Sequence, residues 1–194
     1  MFCGRLIQSD CRQTTYNTKD IHVGSFEMPK LSSSELDQFF VTNGVIMRVA
    51  CVRPDGSPLV TPIWFISYNR AIYFTPRAKS EWLACLRDDP RVALCIDEQD
   101  LPYRKVILEG RAELLHDLGE DDQWRDLYRA IAKRYIPEDA AEAYVHNTID
   151  QPRALFRLKL ADAKVKTWRM PIDDEPQDGI WAQRYYAPGS KYSR

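Results

Sequence analysis

The stretch PLVTPIWFISYNRAIYFTPRAKS, residues 58–80, decides the fold. Leu59, Thr61, Ile63 and Phe65 alternate with Val60, Pro62, Trp64 and Ile66, the period-two pattern of a strand with two distinct faces. Tyr68-Asn69-Arg70 then turns into a further short strand over 71–75. Two places break the local rules. Pro62 cannot donate a ladder hydrogen bond, so the strand is either an edge or a bulge with Trp64 filling the core, or its backbone faces a planar heterocycle. Thr75-Pro76-Arg77-Ala78-Lys79-Ser80 runs from a strand end to a helix start, where unpaired N–H groups and a partial positive charge meet two basic side chains. Thr75, Arg77, Lys79 and a capping Ser80 form either a solvated turn or a phosphate cradle.

Upstream, Val45, Met47, Val49 and Cys51 alternate, and Arg53-Pro54-Asp55-Gly56-Ser57 is a turn, so a hairpin leads into the stretch. Ser32 and Glu35 stand at capping-box spacing ahead of Leu36, Phe39 and Phe40, predicting a short helix. Downstream, the spacing predicts a helix to residue 88 with Trp82, Leu83 and Leu86 inward, stopped by Pro90. Alternation resumes over 91–97 and again over 104–115, where Val106, Leu108, Gly110, Ala112 and Leu114 share a face. Trp124, Leu127, Tyr128, Ile131 and Tyr135 recur at helical spacing, and Pro137 opens another helix that buries Ala141, Tyr144 and Val145. A last strand region covers 153–168, with a bulge expected at 161–163. The expectation is a mainly β fold with inserted helices, a six- to seven-stranded antiparallel split barrel, because closing a sheet removes its edges. Residues 1–30 are expected to be a poorly ordered extension, 31–170 the domain and 171–194 a polar tail.

The 194 residues fit one domain, and 44% apolar with 28% charged residues is a globular composition. Lys plus Arg (27) nearly cancels Asp plus Glu (28), so no global field points to nucleic acid or to an anionic membrane surface. Apolar runs are too short to span a bilayer, and the start of the chain lacks the apolar core of a leader, so a cytoplasmic protein is expected. Five cysteines without a C-x-x-C and three scattered histidines give no metal pattern. No nucleophile elbow, P-loop, G-x-G-x-x-G or H-E-x-x-H occurs, so any chemistry is expected to come from a cofactor.

VTPIWF at 60–65, IYFTPRAKSEWLACLRDDPRVALCID at 72–97 and VILEGRAELL at 106–115 occur in one order. That ordered set resembles the flavin-binding split-barrel proteins related to pyridoxamine 5′-phosphate oxidase, over roughly residues 35–168. The resemblance implies a homodimer with FMN, or the deazaflavin coenzyme F-420, at the seam between subunits. It implies that Val60, Thr61, Pro62, Ile63 and Trp64 line the isoalloxazine ring and that Thr75, Arg77 and Lys79 hold the phosphate. Trp168 either lies beside the ring or closes the core at its strand end. The implied activity is hydride transfer between a small substrate and the flavin. Split barrels that bind flavin or haem without turnover are the alternative. Two departures set vitamin B6 oxidation aside: VTPIWF replaces an arginine-rich strand motif, and residues 181–194 lack the family's terminal substrate motif.

Overall fold

The structure, a computed structural model, describes residues 29–172 and Glu175. The extension expected over 1–30 and the tail over 171–194 therefore lie almost wholly outside the described residues. Helix α1 (Ser33–Val41) begins as its spacing predicts: Glu35 N–H donates to Ser32 Oγ (3.3 Å) and Ser32 N–H to Glu35 Oε2 (2.7 Å). Strands β1 (Met47–Val52) and β2 (Pro58–Ile63) form the first hairpin, with Val52 opposite Pro58 and Met47 opposite Ile63. Strands β3 (Phe65–Tyr68) and β4 (Ala71–Phe74) form the second, turning through Asn69 and Arg70, both left-handed at φ 47° and 55°. Then come α2 (Glu81–Asp88), β5 (Arg91–Asp97), β6 (Arg104–Arg111), β7 (Glu113–His116), α3 (Arg125–Lys133), α4 (Glu138–Asn147), β8 (Leu155–Lys159) and β9 (Lys164–Arg169).

All pairings between these strands are antiparallel, in a five-stranded sheet β2-β1-β5-β6-β9 and a four-stranded sheet β3-β4-β8-β7. Three runs bend here and pass from one sheet to the other: two alternate without a break in sequence, and the third bends beside the bulge expected at 161–163. The bends fall at Trp64 between β2 and β3, at Ala112 between β6 and β7, and in the 3-10 turn Leu160–Asp162 between β8 and β9. The expected split barrel is thus present, but each bent run counts as two strands and the total is nine. Strand β2 ends the five-stranded sheet at one edge, which is where a proline within a strand does least harm.

Between the sheets lies the main core. Met47, Val49, Leu94, Ile96, Val106 and Leu108 meet Phe65, Ile72, Phe74, Phe156 and Leu158, and α2 closes the end with Leu83, Cys85 and Leu86. A second, smaller core sits on the outer face of the four-stranded sheet, where Tyr73, Ala71 and Leu155 pack under Trp124, Tyr128, Ala132, Ala141 and Val145 of the α3–α4 region. Both faces of β4 are consequently buried. Pro29 C=O accepts Arg169 N–H (3.0 Å) and Leu31 N–H donates to Thr167 Oγ1 (3.1 Å), tying the first described residues to β9. Among the described residues no helix is long and apolar enough to cross a membrane.

Candidate functional site

The bend at Trp64 builds one wall of a cleft. Phe65 N–H donates to Tyr135 Oη (3.1 Å), and the same hydroxyl bonds Val45 C=O (3.0 Å), so the end of α3 fixes the chain where it changes sheets. The Arg134 guanidinium supports this from below, donating to Thr42 C=O (2.6 Å) with its Cζ 4.4 Å from the Phe65 ring centroid. Trp64 itself stacks on Tyr135 (centroids 5.0 Å, planes 3° apart) and meets Tyr144 edge-on at 5.4 Å.

The opposite wall is the turn between β4 and α2. Ala78 N–H donates to Pro152 C=O (2.9 Å) and Ala154 N–H to Pro76 C=O (3.1 Å), so residues 76–78 run beside 152–154 as a continuation of the β4–β8 pairing. In that continuation Arg77 and Arg153 form an antiparallel bridge. Ser80 does not cap α2 through its side chain as its position suggests; its hydroxyl accepts the Arg77 N–H (3.2 Å) and tightens the turn instead.

Between the walls lies a cavity of about 200 Å³ lined by Thr61, Pro62, Ile63, Trp64, Thr75, Arg77, Ser80, Trp82, Tyr128, Ile131, Tyr144 and Arg153. Six of the expected site residues, Thr61, Pro62, Ile63, Trp64, Thr75 and Arg77, thus converge although two stretches of sequence supply them. Three do not line it. Val60 points outward from β2 and is 60% exposed. Lys79 stands exposed on the turn. Trp168 lies on β9, at the far edge of the five-stranded sheet, with Lys105 Nζ 5.4 Å from its ring centroid.

Sequence reasoning did not find Arg153, which is 6% exposed two residues before β8. Its guanidinium donates to Tyr144 Oη (3.1 Å), as does that of Arg77 (2.9 Å), and its Cζ lies 4.4 Å from the Tyr128 ring centroid. Burial alone raises the Tyr144 pKa, but the adjacent Tyr128 hydroxyl, the Arg77 hydrogen bond and the charges of Arg153 and Arg77 outweigh it and hold the phenol below its usual value. Burial pushes Tyr128 up instead. Neither arginine makes an ion pair among the described residues, and Arg153 Nε and Tyr128 Oη are buried without a hydrogen-bond partner there. Asp121 accepts the backbone N–H of Arg153 (2.9 Å), not its guanidinium. The cleft therefore carries positive charge that nothing in the described chain neutralises.

A larger concavity, about 810 Å³, lies between α1, residues 43–46 and the loop after β5. Its arginines are already engaged: Arg48 with Asp97, Arg104 with Glu98, and Arg169 with Glu35 (3.0 Å) and Glu175 (2.5 Å). With its cations satisfied it offers no comparable charge, and the smaller cleft is the candidate site.

Two antiparallel sheets that exchange strands at bends, with a basic cleft beside one bend, define a split barrel. The profile of the pyridoxamine 5′-phosphate oxidase family matches residues 34–168, and the chain belongs to that family. Among solved structures, a conserved hypothetical protein of Mycobacterium tuberculosis is similar at 23% identity and TM-score 0.59, over 76% of this chain and 94% of that one. An FAD-binding protein of Mesorhizobium loti is 23% identical with TM-score 0.51, over 73% and 96%. An FAD- and haem-binding protein of Mycobacterium smegmatis is 23% identical with TM-score 0.54, over 75% of each chain. These likenesses speak to the fold. The search of curated proteins gave no match.

Proposed function

We propose that the chain is a flavin-dependent oxidoreductase that transfers a hydride between a small substrate and bound FMN. The observation that carries this reading is the meeting of the β2 edge, Thr61 to Trp64, with the unpaired basic pair Arg77 and Arg153 in one cleft. The donor set fits a phosphorylated flavin, because the lining brings the Arg77 and Arg153 side chains together with the Thr75 and Ser80 hydroxyls and holds no carboxylate. Bound flavin supplies the hydride chemistry at its N5. The residues of this chain bind, orient and exclude water: the β2 edge offers backbone groups that no further strand of the described residues pairs, and Trp64, held by Tyr135 and Tyr144, gives a rigid apolar wall. Arg77 and Thr75 serve the phosphate end by contact, and Lys79 by attraction across solvent.

A haem fits less well, because among the described residues the cavity lining offers iron no histidine, cysteine or methionine, only the phenols of Tyr128 and Tyr144, and Tyr144 Oη already accepts from Arg77 and Arg153. The deazaflavin coenzyme F-420 remains the alternative ligand. The proposal also makes the protein a homodimer. A cavity of about 200 Å³ is smaller than the roughly 300–1,000 Å³ of pockets that enclose a whole small ligand, so one chain holds one end of the coenzyme and a second copy covers the rest. Val60 and Pro62 stand on the solvent face of the five-stranded sheet, available to that copy. Cys51, Cys85 and Cys95 are free thiols, which suits a reducing compartment such as the cytoplasm.

The absorption spectrum of the freshly purified protein, followed by titration of stripped protein with FMN, tests this. Flavin bands and quenched FMN fluorescence are expected, and a colourless protein that binds no flavin overturns the reading. Flavin that binds but is never reduced or reoxidised in the presence of NADH, NADPH or candidate substrates places the protein among the non-catalytic binders.

A further inference from the structure

The larger concavity, about 810 Å³, falls within the roughly 300–1,000 Å³ that encloses a small ligand. It adjoins the basic cleft. Arg48 of its wall stands opposite Pro62 of the cleft across the β1–β2 ladder. Tyr135 Oη bonds Val45 C=O on one side and Phe65 N–H, next to Trp64, on the other. The far wall is held in place: Glu98 N–H donates to Arg104 C=O (3.1 Å) and Met170 N–H to Tyr103 C=O (2.9 Å), closing the loop 98–104 and tying it to the end of β9. Val45, Ile46, Leu101 and Pro102 give the lining apolar surface. Its charge is opposite to that of the cleft. Four carboxylates, Glu35, Asp97, Glu98 and Asp100, face three guanidiniums, for a net charge of −1 over the lining. Arg48 is bound to Asp97, Arg104 to Glu98 and Arg169 to Glu35, while Asp100 stands exposed on the loop. An anion entering here reaches a guanidinium only by displacing a carboxylate.

We propose that this concavity is the substrate site, and that it takes a neutral hydride donor whose oxidised form is a cation, the chemistry of a dihydropyridine, while turning away nucleotide anions such as NADPH. The proposal rests on the flavin reading above and adds the class and charge of the substrate. In the step, a C–H bond of the donor breaks and its hydride passes to the flavin with both electrons of that bond. A proton from water completes the reduction, and the donor leaves one unit more positive. A net negative lining favours that developing charge, whereas the phosphates of a nucleotide meet repulsion in the same place. Asp97 and Asp100 set the specificity in this account: Asp97 occupies Arg48, the guanidinium beside Pro62, and Asp100 is the carboxylate in excess.

The test uses full-length protein loaded with FMN and reduced without oxygen by 1-benzyl-1,4-dihydronicotinamide, which is neutral, or by NADPH. Each rate is divided by that of the same donor with free FMN. The normalised rate should saturate with the neutral donor and exceed that of NADPH at least tenfold. D100K, on the exposed loop, makes the lining net positive and should cut this preference at least threefold. Calorimetry supplies a readout that needs no turnover. The oxidised 1-benzylnicotinamide cation should bind the wild type, with or without flavin, and bind Q38W at least tenfold more weakly, because a bulky ring at that exposed position of α1 fills the concavity. FMN affinity should differ less than twofold between the two proteins. Equal normalised rates for the two donors, or equal binding of the cation to wild type and Q38W, overturn the substrate site and leave the flavin reading standing. Bound FMN that neither donor reduces also overturns it. A protein that binds no FMN, yet binds the cation with the loss in Q38W, keeps the concavity as a site for such rings and overturns the flavin reading.

Discussion

Tyr144 illustrates how a residue read as core filler becomes part of a site. Its place among Ala141 and Val145 on a helix face announces burial, and its ring does pack against Trp64 and Tyr128. Nothing in that spacing shows that the hydroxyl at its tip receives two arginines. Arg153 was equally silent, since a lone arginine before an apolar strand usually lies in solvent. It becomes informative only once the pairing of 152–154 with 76–78 sets it opposite Arg77. Lys79 shows the reverse. Its position before a helix pointed to phosphate, yet the side chain stands exposed and outside the cavity lining. Exposed charges act through water and are screened beyond about 8 Å at physiological salt. Lys79→Ala should therefore lower FMN affinity by only about two- to threefold near 0.15 M salt, an effect that shrinks further at 0.5 M. A tenfold loss independent of salt would instead mean direct contact.

At the level of elements, the strands were legible and, apart from the break at 160–163, their bends were not. Alternation passes unbroken through Trp64 and Ala112, because a chain crossing from one sheet to the other keeps the same residues turned toward the shared core. The bends depend on contacts far away in sequence. Tyr135 makes one of them, so Tyr135→Phe should strip the Phe65 N–H of its partner and cost about 1–3 kcal/mol, measured by urea denaturation. A loss below about 0.5 kcal/mol would show that water replaces the hydroxyl there. Gly110 marks another close approach: a Cβ at this position would lie 2.8 Å from Leu158 Cδ1, whose side chain is wedged between the sheets. Gly110→Ala should accordingly destabilise the protein by about 1–3 kcal/mol, with a lowered urea midpoint and an unchanged slope.

For the whole molecule, the large outward residues of β4 give no reason for a second copy, since α3 and α4 cover Tyr73 from within the same chain. The case rests on the small cleft and the open face of the five-stranded sheet. Mass measurement in solution at micromolar concentration should give twice 22.6 kDa, and FMN should shift any residual monomer toward the dimer. A monomer that binds FMN in full would remove the argument. The surface also sets the response to acid. Hydrogen bonds from Ser32, Lys166, Arg157, Lys133 and Arg169 hold Glu35, Glu109, Glu113, Glu142 and Glu175 below the ordinary carboxylate range, Glu175 at about 2. A carboxylate depressed in the folded state contributes stability that is complete above its unfolded value, about 4.3, and is lost as pH falls through the folded one. The urea midpoint should hold level from about pH 7 to 5 and decline below about 4.5, less steeply in high salt. A midpoint that rises on acidification would contradict these pairings.

The hydrogen bond from Arg169 N–H to Pro29 C=O has a consequence for cyclic order. Where entry and exit are stitched side by side, the succession of strands is a ring, and the place at which it is opened is arbitrary. A permuted chain, cut at the exposed Asp55-Gly56 tip of the first hairpin and with residues 29 and 172 joined by a short glycine-serine linker, keeps every pairing between the strands. The same proximity makes the domain a cassette, able to sit inside a surface loop of another protein without its two attachment points being forced apart.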